Sequence, residues 1–193
     1  MIKLKNLFFI SIVTISTFGC SGEITTKKEL FRYLSDRKHG LSKESDHNGI
    51  TTSASYIPYQ LINSQNPKSR RLNNSRSTSS YLYFVARFSK NGKELLGQLD
   101  LNTYSDMVQI LSFRMAAIIS LHSENNIYIN AEDCFFQQTF GLTSSNELLI
   151  VFDKKKLGNA RKFELVIEEF GLGVGNLTYE FLKSDIDKLN FKI

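Results

Sequence analysis

The sequence predicts a mainly β fold: an antiparallel β-sandwich with two or three short peripheral helices, with α+β as the second choice. Three observations predict it. Eight or nine short stretches alternate apolar with polar residues, as in Phe163, Leu165 and Ile167 against Lys162, Glu164 and Glu168, the mark of sheets with one face on a core. Turn residues recur every dozen residues or so, and Asn91-Gly92 between two such stretches is a strong hairpin signal. Strands do not alternate with long helices, which excludes a parallel α/β sheet.

In chain order, Lys3 and Lys5 open a leader whose apolar run, Leu7 to Phe18, is broken only by Ser and Thr and closes at Gly19-Cys20. A charged start, an apolar middle and a small-residue end is the order of a secretory signal. The run is well short of the roughly 20 residues that cross a bilayer as a helix. Thr17-Phe18-Gly19-Cys20 resembles the lipobox of bacterial lipoproteins, departing from it at Thr17, where Leu is preferred. The resemblance implies cleavage before Cys20, a lipid on Cys20, and a place in the cell envelope. Ser21 fits sorting to the outer membrane under the rule for such proteins. The organisation expected is therefore a cleaved signal peptide over 1–19, a lipidated tether over 20–25, and one β-rich domain over 26–193 that begins with an amphipathic helix.

That helix is expected over Lys27 to His39. Thr26 and Glu29 have the spacing of a capping box, Leu30, Phe31 and Leu34 recur at helical spacing, and Gly40 stands where a helix would stop. Its basic residues, Lys27, Lys28, Arg32, Arg37 and Lys38, suit a solvated face on a helix packed against the domain, because three apolar residues make a thin membrane-binding stripe. Leu41 to Gly49 reads as polar loop. Thr51 to Ile62 reads as extended, and Pro58 in its middle marks an edge strand or a bulge. Asn63 to Ser80, rich in Ser, Asn and Arg, reads as a long surface loop.

Tyr81 to Phe88 sets Leu82, Phe84, Ala86 and Phe88 on one face. Beyond the Asn91-Gly92 turn, Leu95, Leu99 and Leu101 continue the even spacing, and Tyr104 to Phe113 then reads as a helix capped by Thr103. The remainder is β: Ala117 to His122, Ile127 to Ala131, Cys134 with Phe136 and Phe140, Leu148 to Phe152, Phe163 to Ile167, and Leu177 to Phe181. Ser184 is placed to cap a last short helix, Asp185 to Leu189.

Composition narrows the function. Removing Lys3 and Lys5 with the leader leaves 22 of the 24 basic residues against 19 acidic ones, a net +3; this is too small an excess for a nucleic-acid partner. Two cysteines, Cys20 and Cys134, leave no internal disulfide once Cys20 carries lipid. Cys134, in an apolar setting with no neighbouring base, reads as a small buried hydrophobe. Gly171-Leu172-Gly173-Val174-Gly175 lacks both the spacing and the following helix of a phosphate-binding loop, and reads as a flexible hairpin or bulge. His39 and His47 flank Glu44 and Asp46 without a metal-binding pattern, and His122 reads as a surface residue. No motif points to catalysis, and no metal or cofactor is expected. The residues singled out are Cys20, for lipidation, and Arg70, Arg71 and Arg76, which with Lys68 lie in a stretch from Ser64 to Ser80 without an acidic residue. Those cations are placed to bind an anionic envelope surface or an acidic partner. The functional expectation is a lipid-anchored envelope protein of binding or structural type, a component or accessory of an envelope assembly. The alternative is a ligand-binding or hydrolytic lipoprotein with a cleft between the sheets.

Overall fold

The computed structural model describes residues 24–63 and 80–189. Within them two antiparallel sheets face each other across one core, so the chain is mainly β and a sandwich. The larger sheet has the order β1 (Ser42–His47), β2 (Ile50–Ile57), β3 (Tyr81–Lys90), β8 (Asn146–Asp153), β7 (Asp133–Phe136), with the two-residue β4 (Lys93–Glu94) added to β3. The smaller has the order β10 (Leu177–Leu182), β9 (Lys162–Ile167), β5 (Ile119–Ser123), β6 (Tyr128–Asn130).

The inward faces are those the alternation predicts. Leu82, Phe84, Ala86 and Phe88 of β3, Leu148, Ile150 and Phe152 of β8, Phe163, Leu165 and Ile167 of β9, and Leu177, Tyr179 and Phe181 of β10 are all buried. Phe84 is the hub of the packing. Its ring lies edge-on to Phe152 of its own sheet and to Phe163 of the other, and 5.0 Å from the ring of Phe181. These separations are those of favourable aromatic pairs, and they fill the space between the sheets.

Two Asn-Gly turns shape the larger sheet. Asn91 and Gly92 adopt φ of 52° and 68° between β3 and β4, and Asn48 and Gly49 adopt 55° and 79° between β1 and β2. Both positions have the positive φ that a type I′ turn requires. The second hairpin corrects the polar-loop reading of Leu41 to Gly49. β1 holds its place through hydroxyl pairs with β2, Ser42 to Ser55 at 2.9 Å and Ser45 to Thr52 at 3.1 Å, instead of through apolar alternation. The edge-strand reading of Thr51 to Ile62 is corrected as well, because β2 lies between β1 and β3. Pro58, unable to donate to a ladder, follows the strand's last residue and leads into α2 (Tyr59–Asn63).

Among the described residues five α-helices flank the sheets, three of them four or five residues long. α1 (Lys27–Ser35) has the expected capping box, Glu29 N donating to Thr26 and the Glu29 carboxylate accepting from Thr26 N. It ends earlier than the periodicity predicts. Asp36 caps a separate 3-10 turn, Arg37–His39, which Gly40 closes. Leu30 and Leu34 are buried and α1 lies against β2, so these two residues pack on the domain while Phe31 of the expected stripe stays exposed. α3 (Leu101–Phe113) starts one turn before the predicted helix, because Asp100 accepts from Asn102 N and Thr103 N and displaces Thr103 as the cap. A 3-10 turn, Leu96–Gln98, takes the place of the strand expected there. α4 (Met115–Ile118) takes the first half of the apolar stretch that ends in β5, and α5 (Lys183–Asp187) begins ahead of Ser184, without a side-chain cap.

Candidate functional site

The four residues singled out in the sequence, Cys20, Arg70, Arg71 and Arg76, lie outside the described residues. Among the described residues the histidines stay apart. His39 stacks on Tyr33 with centroids 3.5 Å apart, His47 hydrogen-bonds Ser45 Oγ, and His122 hydrogen-bonds Ser120 Oγ and packs edge-on against Tyr128. Glu44, read beside His39 and His47, pairs instead with Arg37. Asp46 accepts from Gly49 N and Thr51 Oγ1. Cys134 is half-buried, and burial, with the charge of Asp133 adding to it, pushes its thiol up to about 12. At neutral pH that thiol is protonated and a poor nucleophile.

The glycine-rich segment is more organised than a bulge. It joins β9 to β10, and the amides of Gly171, Gly173 and Gly175 all donate to the carboxylate of Glu169, the first two at 2.7 and 3.0 Å. Converging amides of this kind make an anion cradle, and here the chain's own carboxylate occupies it. Burial opposes the charge on Glu169, but the three amides outweigh it and hold the carboxyl below its ordinary value.

A second carboxylate, Glu94, sits at the end of the larger sheet. It is 4 % exposed, and its partners come from the turn between β7 and β8 and from Asn146, the first residue of β8. Thr139 Oγ1 and Thr143 Oγ1 donate to it at 2.5 and 2.6 Å, Gly141 N and Thr143 N at 2.8 and 3.0 Å, and Asn146 Nδ2 at 3.3 Å. Burial raises the carboxyl's pKa, but the two hydroxyls and two amides overcome it and bring the value down to about 2. Glu94 is therefore ionised in a nearly dry site, held by donors instead of by a cation. Asn146 extends the network by accepting from Leu96 N at 2.9 Å.

This network holds the loop in a costly shape. Phe140 has φ of +51°, a region that costs a non-glycine residue about 1 kcal/mol or more. Its ring is 77 % exposed, and Leu142 is 88 % exposed. A buried ionic latch thus displays two large apolar side chains to solvent. Sequence reasoning expected Phe140 on a face with Cys134 and Phe136, and did not single out Glu94. Lys93-Glu94 directly after a turn looks like ordinary surface, and its partners lie 45 or more residues further along the chain.

A third feature is a hollow of about 190 Å³ lined by Tyr56, Tyr59, Tyr81, Lys154 and Asp187, among others. Leu82 and Ile186 of the core line its inner side. Burial, with the charge of Asp187 adding to it, pushes the Tyr56 hydroxyl up to about 12, so it serves there as a neutral hydrogen-bonding group.

The fold and these sites define an antiparallel two-sheet sandwich with a closed core and organised surface loops. Comparison with known protein families, curated proteins and solved structures finds no match.

Proposed function

We propose that this chain is a lipid-anchored protein of the cell envelope that acts by binding, as a component or accessory of an envelope assembly. The observation that carries the binding half of this reading is the filled interior. Phe84, Phe152, Phe163 and Phe181 occupy the space between the sheets, which leaves recognition to the surface. The chemistry of the individual groups agrees with it: the Glu94 and Glu169 carboxylates are engaged by the chain's own donors, and the Cys134 thiol is held neutral. The anchoring half rests on Thr17-Phe18-Gly19-Cys20 and its resemblance to a lipobox. Arg70, Arg71 and Arg76 remain the proposed contacts to an anionic envelope surface.

Acyl chains contribute about 0.8 kcal/mol per buried methylene, so lipid on Cys20 would hold the protein on the membrane. The test is metabolic labelling with a radioactive fatty acid, with membrane fractionation, of the parent and Cys20→Ala. Loss of the label, with no cleavage before position 20 in the variant, is the expected result. A variant that is labelled and cleaved like the parent overturns the anchor.

A second reading, a lipoprotein that binds a small ligand, is favoured by the tyrosine-lined hollow. Its volume of about 190 Å³ lies below the roughly 300 Å³ at which drug-sized sites begin, which suits a small polar molecule that hydrogen-bonds Lys154 and Asp187.

A further inference from the structure

The loop that Glu94 holds has four properties that belong together. Its apolar side chains are displayed, with Phe140 and Leu142 exposed as given above. Leu101 adds a third: it is 82 % exposed and stands three residues before Tyr104 on the same side of α3. Tyr104 reaches the loop, its hydroxyl accepting from Gln138 Nε2 at 3.1 Å, and it lines one small hollow with Phe140.

The segment is also free of charge. From Cys134 to Asn146 there is no Asp, Glu, Lys or Arg. Of the carboxylates beside it, Asp133, exposed at the start of the stretch, accepts from Cys134 N, and three others are turned elsewhere. Glu94 faces into the loop's own amides, Asp100 faces the amides that open α3, and Glu147 pairs with Arg87 at 2.7 Å.

Two cations stand on the hairpin that carries the loop's anchor. Lys90 and Lys93 face each other across the β3–β4 hairpin that carries Glu94. Both are exposed, and among the described residues neither makes an ion pair. Gln98 Nε2 donates to Lys90 O and Glu94 O and keeps this hairpin against the start of α3.

Finally, the shape is set before any partner arrives. Five donors on one ionised carboxylate fix the loop, so little ordering remains to oppose binding.

We infer that Phe140, Leu142 and Leu101 form a membrane-inserting finger, and that Lys90 and Lys93 hold it to anionic lipid headgroups. The extent of the apolar surface favours a bilayer over a protein. Three such side chains present on the order of 400–500 Å², about half of the roughly 800 Å² per partner of a stable protein interface. A bilayer needs only a few apolar side chains, an uncharged tip and a collar of cations. All three are present. The finger acts whether or not Cys20 carries lipid; with the lipid it supplies the second of the two contacts that stable anchoring takes.

The chain contains no Trp, so a single introduced Trp reports its own surroundings. The test uses Leu142→Trp, and Leu101→Trp as a second reporter, each in a Cys20→Ala background with the far-UV circular dichroism of the parent. Phe113→Trp is the control. Phe113 is 85 % exposed at the far end of α3, about 18 Å from Leu101 along the helix. Vesicles of phosphatidylglycerol and phosphatidylcholine are added, with and without brominated acyl chains. The expected result is blue-shifted emission and bromine quenching at positions 142 and 101, and neither at 113. Lys90→Glu with Lys93→Glu should weaken vesicle partition about tenfold or more at low salt, an effect that salt diminishes. Phe140→Asp should weaken it about 10–100-fold. Emission at 142 and 101 that ignores vesicles overturns the inference. So does an equal shift at 113, which would mean adsorption through another face. A blue shift that grows with protein concentration in the absence of vesicles would assign the finger to a second copy of the chain, and overturns it also. Because no lipid is attached in this background, failure of the finger and failure of the Cys20 anchor are read separately.

Discussion

Tyr179 of the smaller sheet donates its hydroxyl to Thr52 Oγ1 of the larger at 2.7 Å, in a site where Thr52 is fully buried and Tyr179 is 4 % exposed. The bond ties β10 to β2 across the sandwich. Thr52 Oγ1 also lies 3.1 Å from Ser45 Oγ, so the network runs out to the polar strand β1. Tyr179→Phe should cost about 1 kcal/mol, the net worth of one hydrogen bond. Thr52→Val should cost more, about 1–3 kcal/mol, because it leaves two hydroxyls, those of Tyr179 and Ser45, short of a partner. A double-mutant cycle by urea denaturation checks both. Coupling near zero would show that the bond does not join the sheets energetically.

Phe84 makes the stronger claim on stability. It is fully buried and in ring contact with Tyr56, Phe152, Phe163 and Phe181. Phe84→Ala removes the hub of that cluster and should cost about 3–5 kcal/mol. Equilibrium unfolding measures it, and a variant as stable as the parent would mean that the two sheets do not pack as described.

These two residues also mark what the sequence made legible. Phe84 was readable because a strand's alternation is a local signal: four apolar residues at even spacing in Tyr81 to Phe88 identify both strand and inward face. The same holds for β8, β9 and β10, and for the Thr26/Glu29 capping box. β1 was not readable, because Ser42 to His47 contains no apolar residue and its pairing depends on hydroxyls of β2. The boundary at Pro58 was misjudged for a related reason. Proline stops a strand, but whether that strand lies at an edge depends on neighbours the local pattern does not reveal. Glu94 was invisible because a carboxylate's role is set by its donors, and those belong to a loop far along the chain.

Glu169 is a partly legible case. The glycine pattern suggested an anion site and its context argued against phosphate; the amides do gather on an anion, and it is Glu169. Glu169→Ala should leave three amides to water. Because the site is open to solvent, the global cost should be no more than about 1 kcal/mol. The local effect should be larger, with faster amide hydrogen exchange confined to 171–175. Unchanged exchange there would mean that the carboxylate does not order the segment.

The Glu94 latch predicts how stability depends on pH. Its folded pKa of about 2 lies well below the ordinary glutamate range, so the folded state binds this proton less readily than the unfolded chain. A group lowered in this way contributes its full stability above the unfolded value and loses it as pH falls through the folded one. The latch should therefore be intact above about pH 5 and weaken progressively toward pH 2. Glu29, Asp100, Glu124 and Glu169 are also lowered, so acid will destabilise the parent for several reasons at once. The difference between parent and Glu94→Gln isolates the latch. Glutamine has nearly the same shape, but it turns an amide donor toward groups that themselves donate, at a cost of about 2–3 kcal/mol near neutral pH. That difference should shrink below pH 4 and become small by pH 2, where the parent's Glu94 is about half protonated. Denaturant titrations of both proteins from pH 2 to 7, with hydrogen exchange over 139–145, give the measurement. A difference that stays constant across this range would mean that the charge on Glu94 does not hold the loop.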